Sequence, residues 1–143
     1  MSAIALDPAE DDAYLCVDRM QPELQKIINQ HFRGEALICA MTTTFAGLLK
    51  ERGGSDEAIT RAVEAFAQLP AAVRKEVPDC HARIKNMIDN VQRDGFSQDA
   101  ILWAMLGAII NLYRSFGFPE LKIDGARDDM IMRINEARRL STH

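Results

Sequence analysis

Aromatic residues are scarce in this chain: nine among 143 residues, 6% of the whole, which leaves the core to Ala, Leu, Ile and Met. Such a composition suits packed helices better than strands, which draw on aromatic and β-branched side chains. Glycine and proline are also few, at eight and five, and 48% of the residues are apolar. Together these figures exclude a collagen-like, low-complexity or disordered chain. There is no excess of positive charge. With 17 Lys and Arg against 21 Asp and Glu, the net charge of −4 argues against a surface that coats nucleic acid or anionic membrane. The longest apolar run, Ala100 to Ile110, has 11 residues, well short of a membrane span. No secretory segment is read at the start, because Asp7, Glu10, Asp11 and Asp12 follow directly on Met1 to Leu6. Cys16, Cys39 and Cys80 are odd in number and form no CxxC pair, which excludes a complete internal disulfide framework. They read as small buried hydrophobes of a cytoplasmic protein.

What the chain does contain is helical periodicity throughout. Asp7-Pro8-Ala9-Glu10 is a helix start, with Asp7 placed to cap and Pro8 suited to the first turn. A break or kink is expected near Gln21-Pro22, because proline has no amide to donate. A second helix with Leu24, Ile27 and Ile28 then runs to about Phe32-Arg33-Gly34. Residues 37, 38, 41, 45, 48 and 49 form a 3.6-residue apolar stripe over Glu35 to Arg52, closed by Gly53-Gly54. Further helices are read from Ser55 to Leu69, briefly over Ala71 to Glu76, from Pro78 to Asp94, from Ser97 to about Ser115, and from near Ala126 to Leu140. The helix after Ser97 is apolar around nearly its whole circumference and belongs at the centre of the domain or in an oligomer interface. No segment reads as a strand. The expectation is a single all-α domain over residues 1–143, a compact bundle of six or seven helices.

Two stretches of the chain also repeat one another. Glu35 to Met41 aligns with Asp99 to Met105 at an offset of 64, continuing through Leu48/Leu112, Lys50/Arg114 and Gly53/Gly117, and upstream through Leu24/Ile88, Ile27/Val91 and Phe32/Phe96. Downstream the offset becomes 72, pairing Asp56 to Arg61 with Asp128 to Arg133 and Glu64-Ala65 with Glu136-Ala137. Three helices matching in order predict two related three-helix units, 20–68 and 84–140, sharing one core. The second unit has eight extra residues, Phe116 to Ile123, and five of the nine aromatics lie between 96 and 118. The segment reads as a loop whose Phe116, Phe118, Pro119, Leu121 and Ile123 either form a contact surface or fold back over the end of the core.

Catalytic chemistry finds no foothold. A di-iron bundle needs Glu-x-x-His pairs on facing helices, and none is present. His31, Glu35 and Cys39 are spaced by four but Gly34 falls between them, while Glu76, Asp79, Cys80 and His81 read as an acid-rich first helical turn. There is no GxSxG elbow and no glycine-rich phosphate loop. Thr42, Thr43 and Thr44 read as hydroxyls bonding back to their own helix. No catalytic residue, metal or cofactor is assigned.

The spacing Leu49-x-x-x-Gly53-x-Ser55-x-x-x-Ile59 resembles the turn of a helix-turn-helix motif, and Val91-x-x-x-Gly95-x-Ser97-x-x-x-Ile101 repeats it. The resemblance implies a DNA-binding regulator. However, one would-be recognition helix opens with Ser55-Asp56-Glu57 and the other is almost wholly apolar, where phosphate contact needs Lys and Arg. The leading expectation is therefore a non-catalytic helical interaction or regulatory protein that binds a protein partner or itself. The alternative is a binding protein for a small apolar ligand, with Ala36, Cys39, Ala40, Thr43 and Gly47 set against Ala104, Gly107 and Ala108.

Overall fold

The computed structural model describes residues 8–141, with the side chains of 12–140. The Asp7 cap and the reading of residues 1–6 lie outside the described residues. The described chain is all-α, with seven helices: α1 (Pro8–Ile28), α2 (Gly34–Arg52), α3 (Glu57–Ala67), α4 (Ala71–Arg74), α5 (Val77–Arg93), α6 (Gln98–Ser115) and α7 (Glu120–Ser141).

Several boundaries differ from the sequence expectation; the helix expected to run to about Phe32-Arg33-Gly34 ends at Ile28. Helix α1 runs unbroken through Pro22. Pro22 and Asp18 are both exposed, so the carbonyl that loses its donor faces water, and Met20, Leu24 and Ile27 are buried on the other side. Helix α7 begins at Glu120 rather than near Ala126, because Pro119 accepts from the amides of Lys122 and Ile123 and starts the first turn. Half of the eight extra residues, Glu120 to Ile123, are therefore helix rather than loop. Ser97 accepts from the amide of Ala100 at 3.1 Å and caps α6 as the sequence suggests, whereas α3 starts at Glu57 rather than Ser55 and its N-cap residue Asp56 makes no side-chain cap.

Helix α2 runs antiparallel to α6. Arg52 Nε meets Asp99 Oδ1 at 2.8 Å at one end, and Phe116 lies against Gly34 at the other. Helices α1 and α5 are likewise antiparallel, joined by the Arg19–Asp94 ion pair and by an Asn90–Glu23 hydrogen bond of 3.1 Å. Helix α1 packs most extensively on α6, and α5 on α2. One apolar cluster draws on α1, α2, α5, α6 and α7, with Leu37, Met41, Ile101, Met105, Ile109 and Ile134 almost wholly enclosed. At the α6 positions that made this helix apolar on nearly all sides, Ile101, Leu102, Met105, Leu106, Ile109, Ile110 and Leu112 are buried within the chain. Burial of that kind is the principal driving force for the fold.

The turns carry the spacing seen in the sequence. Among the described residues four have left-handed backbone, and they form two pairs 64 positions apart: His31 with Gly95, and Gly53 with Gly117. The helix ends agree bond for bond. Gly53 donates to Lys50 and Gly54 to Leu49, while 64 positions later Gly117 donates to Arg114 and Phe118 to Tyr113. This is the Schellman pattern, in which a left-handed residue satisfies the last carbonyls of a helix.

Candidate ligand cleft

The five residues singled out between 116 and 123 do not share one surface. Ile123 is wholly buried in the core. The Phe118 ring stacks on Tyr113 at 4.8 Å between centroids, and Lys122 Nζ stands 5.2 Å from the Phe118 ring centre. The Phe116 ring covers the backbone of Gly34, where a Cβ would come within 2.6 Å of it. Pro119 is exposed, and Leu121 at 86% is the most exposed large apolar side chain described.

Three clefts lie between the helices. The first lies between α1 and α6, about 220 Å³, walled by Leu24, Ile28, Ala104, Gly107, Ala108 and Leu112 with Gln21, Gln25, Asn111 and Ser115 at the edges. The second lies between α2 and α5, about 150 Å³, walled by Thr43, Thr44, Gly47, Leu48, Glu51, His81, Lys85, Ile88, Asp89 and Gln92. Every one of these second-cleft residues stands 64 positions from a residue lining the first. They are twin grooves of one packing arrangement, one edged by neutral amides and hydroxyls, the other by charges. Burial and the neighbouring Lys85 lower the pKa of His81 in the second groove.

The third cleft, about 240 Å³, has no such twin. Its floor is Phe45 and Ala46 of α2, and its sides are Ala58, Ala62 and Ala65 of α3 and Ala126 and Met130 of α7, with Tyr113 closing it. The two helices flanking it differ in side-chain size at positions that align in the sequence. At an offset of 72, Ala58 corresponds to Met130, Ala62 to Ile134 and Ala65 to Ala137. Helix α7 fills its seat, with Met130, Ile134 and Ala137 all buried. Helix α3 has no buried residue. Close-packed interiors leave few voids larger than water, so space beside a short-side-chain helix is a structural feature in its own right.

Charged groups stand on the wall of this cleft. Arg133, only 8% exposed, donates from Nε to Asp129 Oδ2 at 2.9 Å, and its Nη2 lies 3.6 Å from Glu57 Oε1. Arg61 donates to Glu57 Oε1 at 3.2 Å and lies 3.7 Å from Asp129 Oδ1. Two acids and two arginines thus alternate in a ring that links α3 to α7. The residues are again 72 positions apart, Glu57 with Asp129 and Arg61 with Arg133. The aligned pairs Ala58/Met130 and Arg61/Arg133 were visible in the sequence. The signal for the cleft is the small side chains of Ala58 and Ala62 at positions aligned with Met130 and Ile134.

The other polar residues considered from sequence have local roles. Thr42 donates to the carbonyls of Ile38 and Cys39, and Thr44 to that of Ala40. Glu76 accepts from the backbone amide and the guanidinium of Arg33. His31 ends the turn after α1 in left-handed conformation, outside the helix that carries Glu35 and Cys39. The three thiols are free and buried. Burial pushes Cys16 up to about 11 and, with Asp79 adding to it, Cys80 up to about 12. Among the described residues no group of three or more His, Cys, Asp or Glu side chains is placed to hold a metal ion, and no helix is long and apolar enough to cross a membrane. Comparison with family models, curated proteins and solved structures returned no match for this chain.

Proposed function

We propose that the chain is a cytoplasmic, non-catalytic helical binding protein that takes a small, mainly apolar ligand into the cleft between α3 and α7. The framework is read as a duplicated three-helix unit, 20–68 and 84–140, in which the first copy has lost side-chain volume on its third helix. The observation that carries the proposal is the alanine face of α3, Ala58, Ala62 and Ala65, set over Phe45 and Met130 around about 240 Å³ of space. That volume lies below the ~300–1,000 Å³ of drug-sized sites, which suits a compact ligand. Free, buried thiols at Cys16, Cys39 and Cys80 support a reducing compartment.

The test restores the missing volume. Binding of a neutral apolar fluorophore such as N-phenyl-1-naphthylamine is measured on the full chain and on Ala58→Met/Ala62→Ile, which gives α3 the residues α7 carries. Loss of binding in the double variant supports the reading, and unchanged binding overturns it.

A second reading, association with a protein partner or a second copy, is favoured by Leu121, whose large apolar side chain is 86% exposed. Sedimentation at rising concentration tests the self-association arm. A dimer abolished by Leu121→Asp supports it, and a monomer at all concentrations overturns that arm.

A further inference from the structure

We infer that the ligand of the α3–α7 cleft carries a single carboxylate, which takes the place of Glu57 on the Arg133 guanidinium. The inference rests on the cleft reading above and adds the chemical class of the ligand. Of the four charges in the ring, three line the cleft: Arg61, Asp129 and Arg133. The wall therefore carries one net positive charge, and Glu57 balances it from outside. Arg133 is the most enclosed of the four, at 8%, while Glu57 is 56% exposed.

The two acids hold Arg133 unequally. Asp129 sits one helical turn before it and takes a hydrogen bond from Nε at 2.9 Å. Glu57 comes from α3, and its Oε1, which accepts from Arg61 at 3.2 Å, reaches Nη2 at 3.6 Å, a longer contact than the Asp129 bond. The terminal edge of Arg133 is thus the more loosely held, by the 3.6 Å contact with Glu57. A guanidinium presents a planar fork that matches a carboxylate through two parallel hydrogen bonds, a stronger arrangement than a single long contact. Displacing Glu57 is inexpensive, because its carboxylate is already largely in water and α3 has no buried residue to anchor its side of the ring. The ligand's apolar body then lies against Phe45, Ala62 and Met130, with its charge toward Arg133.

Isothermal titration of the full chain with octanoate and with 1-octanol tests this, the two probes sharing a chain length and differing in the head group. Octanoate is expected to bind about tenfold tighter than 1-octanol, the scale of one charge-assisted hydrogen-bond pair. Glu57→Gln, an exposed substitution that removes the competing acid, is expected to tighten octanoate several-fold and leave 1-octanol unchanged. Arg133→Met is expected to abolish the preference for octanoate. Equal affinity for the two probes, or weaker octanoate binding in Glu57→Gln, overturns the carboxylate assignment while the cleft stands on its neutral-fluorophore test. Failure of both probes and of the fluorophore overturns the cleft itself.

Discussion

The carboxylate of Glu57 stands 3.6 Å from the guanidinium of Arg133 on another helix, and the residues 72 positions away along the chain form the reciprocal pair, Asp129 with Arg61 at 3.7 Å. One arrangement is thus used twice across the boundary between α3 and α7. The two helices differ where the ring ends: α7 continues into the core through Met130 and Ile134, whereas α3 presents alanine. That inequality between matching helices is the basis for the predictions.

Refilling the cleft should stabilise the fold. Ala58→Met/Ala62→Ile adds several methylene and methyl groups to space bounded by Phe45 and Met130. At about 0.8 kcal/mol per buried methylene, less the strain of fitting them, a gain of about 1–2 kcal/mol is expected in urea unfolding. A stability loss with retained fluorophore binding would mean that α3 has no room beneath it.

The ring should be unequal in energy. Glu57→Gln removes pairs whose partners include the 60% exposed Arg61, so a cost below about 0.5 kcal/mol is expected. Arg133→Ala removes an enclosed guanidinium and the packing of its stem, and a cost of about 2–3 kcal/mol is expected. Paired denaturant titrations check the contrast. Similar costs for both would show that Arg133 is no better held than a surface residue.

The left-handed pair His31 and Gly95 offers a backbone test. His31 holds a φ of 67°, a region that costs a side-chain-bearing residue about 1–2 kcal/mol, part of which His31→Gly returns as greater flexibility of the unfolded chain. His31→Gly should therefore stabilise by about 0.5–1 kcal/mol, and Gly95→Ala should destabilise by about 1–2 kcal/mol. Thermal melting of the two variants should show shifts of opposite sign.

The buried thiols set an alkaline limit. The folded values of Cys16 and Cys80, about 11 and about 12, lie above the ordinary value of 9.0. The stability gained by keeping them neutral is fully present below pH 9 and is lost as the pH rises toward 11–12, because the unfolded chain ionises first. Unfolding free energy should fall over that range in wild type, and less steeply in Cys16→Ala/Cys80→Ala. Equal slopes would assign the alkaline loss to other groups.

Most of the fold was legible because its signals are local. Ser97 caps, Gly53 and Gly117 end helices, and the 3.6-residue stripe of α2 buries Leu37, Met41 and Leu48. The lost hydrogen bond at Pro22 points to a break when taken alone, whereas burial of Met20 and Leu24 on the opposite face holds the helix together. The aromatic segment was harder to place. Phe116 and Phe118 read alike in sequence, yet one lies on Gly34 and the other on Tyr113, and Ile123 turns inward because α7 starts early. The ion ring and the cleft depend on α3 and α7 meeting across the bundle, a long-range relationship that neither helix carries by itself.

The most direct measurement is a two-dimensional amide NMR titration of the full chain with octanoate. Dose-dependent shifts are expected to concentrate at Thr42, Phe45 and Ala46 and at residues 58–65 and 126–133, with Gln21, Gly107 and Asn111 of the first twin groove and His81, Lys85 and Asp89 of the second unmoved. Shifts confined to Gln21, Gly107 and Asn111, to His81, Lys85 and Asp89, or to no residues at all would contradict the cleft assignment.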